Sequence, residues 1–94
     1  SGKKLLLLLE DREEMAWLIT GILSSQFNVK VVKNIQAAFE IIRHDTPTVF
    51  MVDMGMYANA ESTLMECVNR NRSSLSKTAF IPMLAWETRT YAVV

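Results

Sequence analysis

The stretch LLLLLEDREEM, residues 5–15, places five consecutive leucines directly before two acidic residues. An apolar run of this length without alternation is typical of a strand that is buried on both faces, as in a parallel sheet covered by helices. Asp11 stands three residues before Glu14, and this spacing is the acidic form of a capping box at a helix N-terminus. We therefore predict a buried first strand that is followed at once by a helix.

The first helix is predicted to bury one stripe of apolar residues at helical spacing, and the stripe consists of Met15, Leu18, Ile19, Ile22 and Leu23. Trp17 lies off this stripe. Packing of Trp17 under a loop is favoured over its exposure to a partner.

The rest of the chain alternates strand patterns with helix patterns. The second strand is predicted over Phe27–Val32, and Asn34 is predicted to cap a second helix that buries Ala38, Ile41 and Ile42. A third strand at 48–52 runs into Asp53, and a third helix carries Leu64, Met65 and Val68. A fourth strand is predicted at 80–86, with Pro82 near its start, where a missing backbone donor is tolerated.

The order β-α-β-α-β-α-β predicts a three-layer α/β/α fold in which helices cover both faces of a parallel sheet. A chain of 94 residues suits one domain, which we assign to residues 3–94. Residues 1–2 (Ser-Gly) have the composition of a cloning remnant. Residues 87–94 are too few for another helix and strand, so we expect a fold that is truncated after strand 4.

The composition argues against several classes of function. Ten basic and ten acidic residues balance to zero net charge, which disfavours binding to nucleic acid phosphates. One cysteine and one histidine provide neither an internal disulfide nor a Cys/His zinc site. The longest apolar runs have five residues, too few to cross a membrane, and no signal peptide is present. We expect a cytoplasmic domain that contacts neither nucleic acid nor membrane.

Acidic residues follow the first and third predicted strands. In open α/β sheets, ligands bind beyond the carboxyl ends of the strands where the strand order reverses, which for the flavodoxin-like order 2-1-3-4-5 lies between strands 1 and 3. Glu10 and Asp11 end strand 1, and Asp53 ends strand 3. Three carboxylates at one place require a cation or a proton between them, and Mg²⁺ prefers such oxygen ligands.

Asp53 is the better candidate for a nucleophile toward phosphorus, because it has no capping role to explain it. The backbone carbonyl of Gly55 is a further candidate Mg²⁺ ligand. Purely structural roles remain open, since Asp11 can simply cap a helix, Glu10 can be an exposed strand end, and Asp53 can open a loop.

The sequence resembles the receiver (CheY-like) domain of response regulators in two-component systems over about residues 3–89. The resemblance is carried by LLLLLEDREEM (5–15), IQAAFEIIRHDTPTVFMVDM (35–54) and AFIPMLAW (79–86). It implies a flavodoxin-like fold, with Asp53 as the phosphoacceptor and Glu10 and Asp11 as Mg²⁺-binding acids. It further implies a histidine kinase as phosphodonor, an output domain or partner protein as reader, and no enzymatic activity beyond weak autodephosphorylation. The EDxEEM pattern is similar to the corresponding segment of receivers that are fused to hybrid sensor kinases.

The sequence departs from this family beside the predicted site. Receivers usually carry Met-Pro and then Asp-Gly after the aspartate, where this chain has Tyr57 and Ala60-Glu61. Strand 4 of a receiver usually ends in a Thr or Ser switch residue, but that position is Glu87 here, with Thr88 one residue late. An ionised Glu cannot donate a hydrogen bond to a phosphoryl group and repels it. The lysine of strand 5 has no counterpart.

These departures favour a second hypothesis, a degenerate pseudo-receiver that acts as a phosphorylation-independent interaction or dimerisation module. An unpaired outer edge of strand 4 predicts either a homodimer or a domain excised from a longer protein, because exposed strand edges pair with other chains. A flavodoxin-like enzyme or nucleotide binder is a third alternative, and the absence of a glycine-rich loop argues against it.

Overall fold

The structure, a computed structural model, describes residues 2–57 and 61–83. Strands and helices alternate as the sequence predicts. In chain order they are β1 (Lys4–Leu9), α1 (Glu13–Leu23), β2 (Phe27–Val32), α2 (Ile35–His44), β3 (Val49–Asp53), a 3-10 turn (Met54–Tyr57), α3 (Glu61–Arg70) and β4 (Ala79–Met83). Within the described ranges, no helix is long and apolar enough to cross a lipid bilayer.

The four strands form one parallel sheet in the order β2-β1-β3-β4. This order confirms the predicted flavodoxin-like α/β fold. β1 lies inside the sheet between β2 and β3, and its five leucines, residues 5–9, are all buried. The leucine run is therefore a strand covered on both faces, because each face must be shielded from water by a separate helical layer.

The core has one hydrophobic cluster on each face of the sheet. On one face Leu7 and Leu9 pack with residues of α2 and α3, which are Ala38, Phe39, Ile42 and Leu64. On the other face Leu6 and Leu8 pack with Ala16 and Ile19 of α1. The alternation of β1 side chains thus divides the leucines between two helical layers.

The predicted capping role of Asp11 is wrong. The N-cap residue of α1 is Arg12, which makes no side-chain capping hydrogen bond, and Ala16 N donates to Arg12 O at 3.0 Å. The Arg12 backbone N–H instead donates to Glu10 Oε2 at 3.0 Å. Asp11 makes no capping hydrogen bond to this helix and is exposed to solvent.

The predicted apolar stripe of α1 is correct only in part. Ile19 is buried and Met15 and Leu23 are partly buried, but Leu18 and Ile22 are exposed. The helix contacts the sheet over a narrower surface than its apolar residues span, so positions at the margin of the stripe remain outside the contact. The prediction that Trp17 packs under a loop is also wrong, since Trp17 is 79% exposed.

The second helix begins as predicted. Asn34 is the N-cap residue, and its Oδ1 accepts a hydrogen bond from Ala37 N at 2.8 Å. The buried side includes the predicted Ala38 and Ile42. The third buried residue is Phe39, whereas Ile41 had been predicted. Ile41 is partly buried against the same cluster.

Replacement Asn34→Ala is expected to lower the free energy of unfolding by about 1 kcal/mol, because the Ala37 backbone donor loses its side-chain acceptor. Urea unfolding followed by circular dichroism measures the change. Asn34→Asp is the control, since an aspartate keeps the acceptor oxygen and is expected to cost much less. Equal losses for the two variants would contradict the capping role.

The last two elements differ from prediction in detail. Leu64 of α3 is fully buried and Val68 is partly buried, but Met65 is 38% exposed. β4 begins at Ala79, one residue before the predicted strand, so Pro82 is its fourth residue instead of its third, and it lies opposite Val52. The predicted continuation of β4 over 84–86 lies outside the described residues.

Candidate metal and phosphoryl site

The carboxyl ends of β1 and β3 meet at one edge of the sheet. Leu9 is paired with Val52, so the acidic residues that come next on the two strands are neighbours. Glu10, Asp11 and Asp53 each offer an oxygen atom, and these atoms all lie within 4.8 Å of one another. The three carboxylates predicted to converge therefore do so, with Glu10 and Asp53 buried and Asp11 exposed.

Glu10 is held at the end of β1 by its backbone, since Glu10 N donates to Val32 O at 2.9 Å. Its side chain is fully buried. Oε2 accepts hydrogen bonds from Arg12 N at 3.0 Å and Arg12 Nε at 3.3 Å. Oε1 is buried and has no hydrogen-bond partner among the described residues. Burial raises the pKa of Glu10 above its usual range; the Arg12 hydrogen bonds oppose this rise, and repulsion from Asp53 adds to it.

Asp53 is the last residue of β3 and is only 4% exposed. Its Oδ1 accepts a hydrogen bond from the backbone N–H of Gly55 at 2.9 Å, which sets the orientation of the carboxylate. Its Oδ2 lies 3.4 Å from Arg12 Nη2. The two oxygens thus have different partners, a backbone donor on one side and a guanidinium on the other.

Arg12 connects the two buried acids and was not identified from the sequence. Its guanidinium contacts Glu10 Oε2 through Nε and Asp53 Oδ2 through Nη2, while its side chain remains 49% exposed. The sequence signal that could have identified Arg12 is its position directly after two acidic residues, Glu10 and Asp11. The guanidinium thus forms ion pairs with two of the three acids in the cluster.

These residues could hold a metal ion. An unpartnered carboxylate oxygen in a buried position is unfavourable, and a cation bound beside Glu10 Oε1 would supply the missing partner. The donor atoms are all hard oxygens, which suit Mg²⁺, Ca²⁺ or Mn²⁺ rather than zinc.

For the other residues of the predicted site, the structure leaves the predicted roles untested. Gly55 lies in the 3-10 turn after β3 and donates its N–H to Asp53, and its role as a carbonyl ligand stays a prediction. The predicted switch positions Glu87 and Thr88 lie outside the described residues, as does Ala60 in the atypical loop.

No protein-family model matches the sequence, and no curated protein matches it. Among solved structures, the chain is similar to a response regulator from Thermotoga maritima, with a TM-score of 0.72 and 18% sequence identity. The similarity covers 97% of this chain and 74% of that chain. At this level of identity the likeness shows the fold, which is the CheY-like form of the flavodoxin-like α/β class.

Proposed function

We propose that the chain is a receiver domain that accepts a phosphoryl group on Asp53 from a histidine kinase. The observation that carries this proposal is the position of Asp53, buried at the carboxyl end of β3 with oxygens of Glu10 and Asp11 within 4.8 Å. The CheY-like fold supports the same conclusion, because it places these three carboxylates where the strand order reverses.

In the proposed transfer, an oxygen of the Asp53 carboxylate attacks the phosphorus of a phosphohistidine. The new O–P bond forms as the N–P bond breaks, and the histidine nitrogen leaves with the bonding electron pair. The Gly55 N–H binds Oδ1 and orients the carboxylate, so Oδ2 is the attacking oxygen. The product is an aspartyl phosphate.

Mg²⁺ is the proposed cofactor, and Glu10, Asp11, Asp53 and the Gly55 carbonyl would hold it. When bound, it neutralises charge on the carboxylates and on the transferred phosphoryl oxygens. The unpartnered Glu10 Oε1 supports this assignment, because that atom can become a ligand without losing a hydrogen bond.

The added charge on Asp53 would shift the population between two surface conformations that an output domain or a partner protein reads. The domain would therefore act as a signalling module in the cytoplasm, with weak autodephosphorylation as its only activity beyond accepting the phosphoryl group. A place within a hybrid sensor kinase is compatible with this role.

The test is intact-mass spectrometry of the full chain after incubation with acetyl phosphate, with Mg²⁺ or with EDTA. A phosphoryl adduct that forms only with Mg²⁺ is expected. Failure to form an adduct under conditions that label an ordinary receiver would overturn the proposal.

A specific observation favours the second candidate, a pseudo-receiver that binds partners independently of phosphorylation. Arg12 contacts Oδ2 of Asp53, the oxygen assigned above as the nucleophile, and also binds Glu10. A guanidinium in this position competes with an incoming cation for the same carboxylates. The two candidates are distinguished by the mass measurement and by the effect of removing this guanidinium.

Arg12→Gln is expected to tighten Mg²⁺ binding about fivefold, because a half-exposed ion pair contributes about 1 kcal/mol that the cation no longer has to displace. Isothermal titration calorimetry with MgCl₂ measures the affinity. Arg43→Gln is the matched control, since Arg43 pairs with Glu40 on α2 outside this cluster. Unchanged or weaker binding in Arg12→Gln would contradict competition by Arg12.

A further inference from the structure

Arg12 contacts Asp53 at Oδ2, the oxygen that is assigned above as the nucleophile, with Nη2 at 3.4 Å. In the described part of the chain, no other basic side chain forms an ion pair with Asp53. Lys33 follows β2 at the same edge of the sheet, but it pairs with Glu13 at 4.0 Å. Arg12 is therefore the base that is placed to act on a group bound to Oδ2.

The Arg12 guanidinium has hydrogen-bond donors to spare. It carries five N–H groups, and its contacts to Glu10 Oε2 and Asp53 Oδ2 involve only Nε and Nη2. Nη1 makes no hydrogen bond to a described residue. The side chain is half exposed, so the guanidinium can be reached from the solvent side, from which a phosphodonor must arrive.

The backbone of Arg12 is held in place independently of its side chain. Its N–H donates to Glu10 Oε2 at 3.0 Å, and its carbonyl accepts a hydrogen bond from Ala16 N at 3.0 Å. These two bonds fix the residue between the end of β1 and the start of α1. The long side chain can therefore exchange one acceptor for another without a movement of the helix.

We propose that Arg12 is a catalytic residue, which binds the terminal oxygens of the phosphoryl group during its transfer to Asp53. This inference rests on the proposed function. When phosphorus bonds to Oδ2, its terminal oxygens lie beside the atom that Arg12 contacts in the free chain. A guanidinium matches the geometry of phosphate oxygens and can bind two of them at once. The base that competes with a cation before transfer thus stabilises the transferred group.

The rate of labelling by acetyl phosphate tests the proposal. In this reaction Oδ2 attacks phosphorus, the new O–P bond forms, and acetate leaves with the electron pair of the broken O–P bond. At saturating Mg²⁺, Arg12→Gln is expected to slow labelling about tenfold, because a half-exposed charged donor to the transferred group is lost. Arg12→Lys is expected to recover part of this loss, since an ammonium keeps the charge but not the paired donors.

Binding of beryllium trifluoride, an analogue of the phosphoryl group, separates contact with that group from damage to the site. Isothermal titration calorimetry in saturating MgCl₂ measures the affinity. Arg12→Gln is expected to weaken binding of the analogue about tenfold, although the same variant is expected to bind Mg²⁺ more tightly. A merely structural role would weaken both, because a distorted site holds neither ligand well.

Lys33→Gln is the matched control. It removes the same charge at the same edge of the sheet, and Lys33 pairs with Glu13 rather than with Asp53. The control is expected to label and to bind the analogue as the wild type does. Equal slowing in Lys33→Gln would overturn the proposal and assign the effect to the general field of the surface.

Two further outcomes separate this inference from the proposed function. If the wild type is labelled and Arg12→Gln is labelled at the same rate, the inference is overturned, while Asp53 stands as the phosphoacceptor. If the wild type is not labelled, the proposed function is overturned and the role of Arg12 with it. Thermal unfolding by circular dichroism checks that the variants are folded, which we expect because both side chains are about half exposed.

Discussion

Phosphoryl labelling is expected to disappear completely when Asp53 is replaced by asparagine. An amide has no anionic oxygen to attack phosphorus, so the Mg²⁺-dependent adduct with acetyl phosphate cannot form. The fold is expected to persist, because the asparagine carbonyl oxygen can still accept the hydrogen bond from Gly55 N. Intact-mass spectrometry of wild type and Asp53→Asn under identical conditions measures this effect.

Asp45→Asn is the matched control for this prediction. Asp45 is an exposed acid after α2, and its replacement removes the same charge away from the acidic cluster. The control is expected to label as the wild type does. An adduct of equal yield in Asp53→Asn would show that another residue is modified, and it would contradict the assignment of Asp53 as phosphoacceptor.

The second large effect is expected in the core. Phe50→Ala is expected to lower the free energy of unfolding by about 3–5 kcal/mol, which is a large part of the stability of a small domain. Phe50 is fully buried on β3 and packs edge-to-face with Phe39, with ring centroids 5.9 Å apart. Its ring also lies beside that of Phe80 on β4, with ring centroids 5.8 Å apart, so its removal leaves a cavity between β3, α2 and β4.

Phe80→Ala is the control for the core prediction. It is the same substitution in the same aromatic group, but Phe80 is 37% exposed, so water can fill much of the space that its ring leaves. We expect about half the loss seen for Phe50→Ala. Urea unfolding of both variants measures the difference. A loss for Phe80→Ala as large as that for Phe50→Ala would contradict the burial argument.

The acidic cluster illustrates what a sequence can predict about a site. Glu10, Asp11 and Asp53 were identified because each follows a buried strand, and the carboxyl ends of neighbouring parallel strands lie at one edge of a sheet. That argument requires only the strand order, which was taken from the flavodoxin-like fold and which the structure confirms as β2-β1-β3-β4. The role of Arg12 does not follow from it, because the direction of a long side chain depends on the surfaces around it.

The exposed residues of α1, in contrast, could not be predicted from the sequence. A helical period identifies which residues share a side, but not how much of that side the sheet covers. Leu18 and Ile22 belong to the apolar pattern, yet the sheet contact includes only the strip around Ala16 and Ile19. The exposure of Trp17 likewise depends on where α1 lies over β1.

The order of strands and helices, the burial of the leucine run in β1 and the cap at Asn34 could all be predicted from the amino-acid sequence, because they depend on local periodicity and nearest-neighbour chemistry. The exposure of apolar residues on α1, and the contact between Arg12 and the two buried acids, became known from the three-dimensional structure alone. Those outcomes depend on distances between elements far apart in the chain. Arg12 meets Asp53 only because β1 and β3 pair side by side.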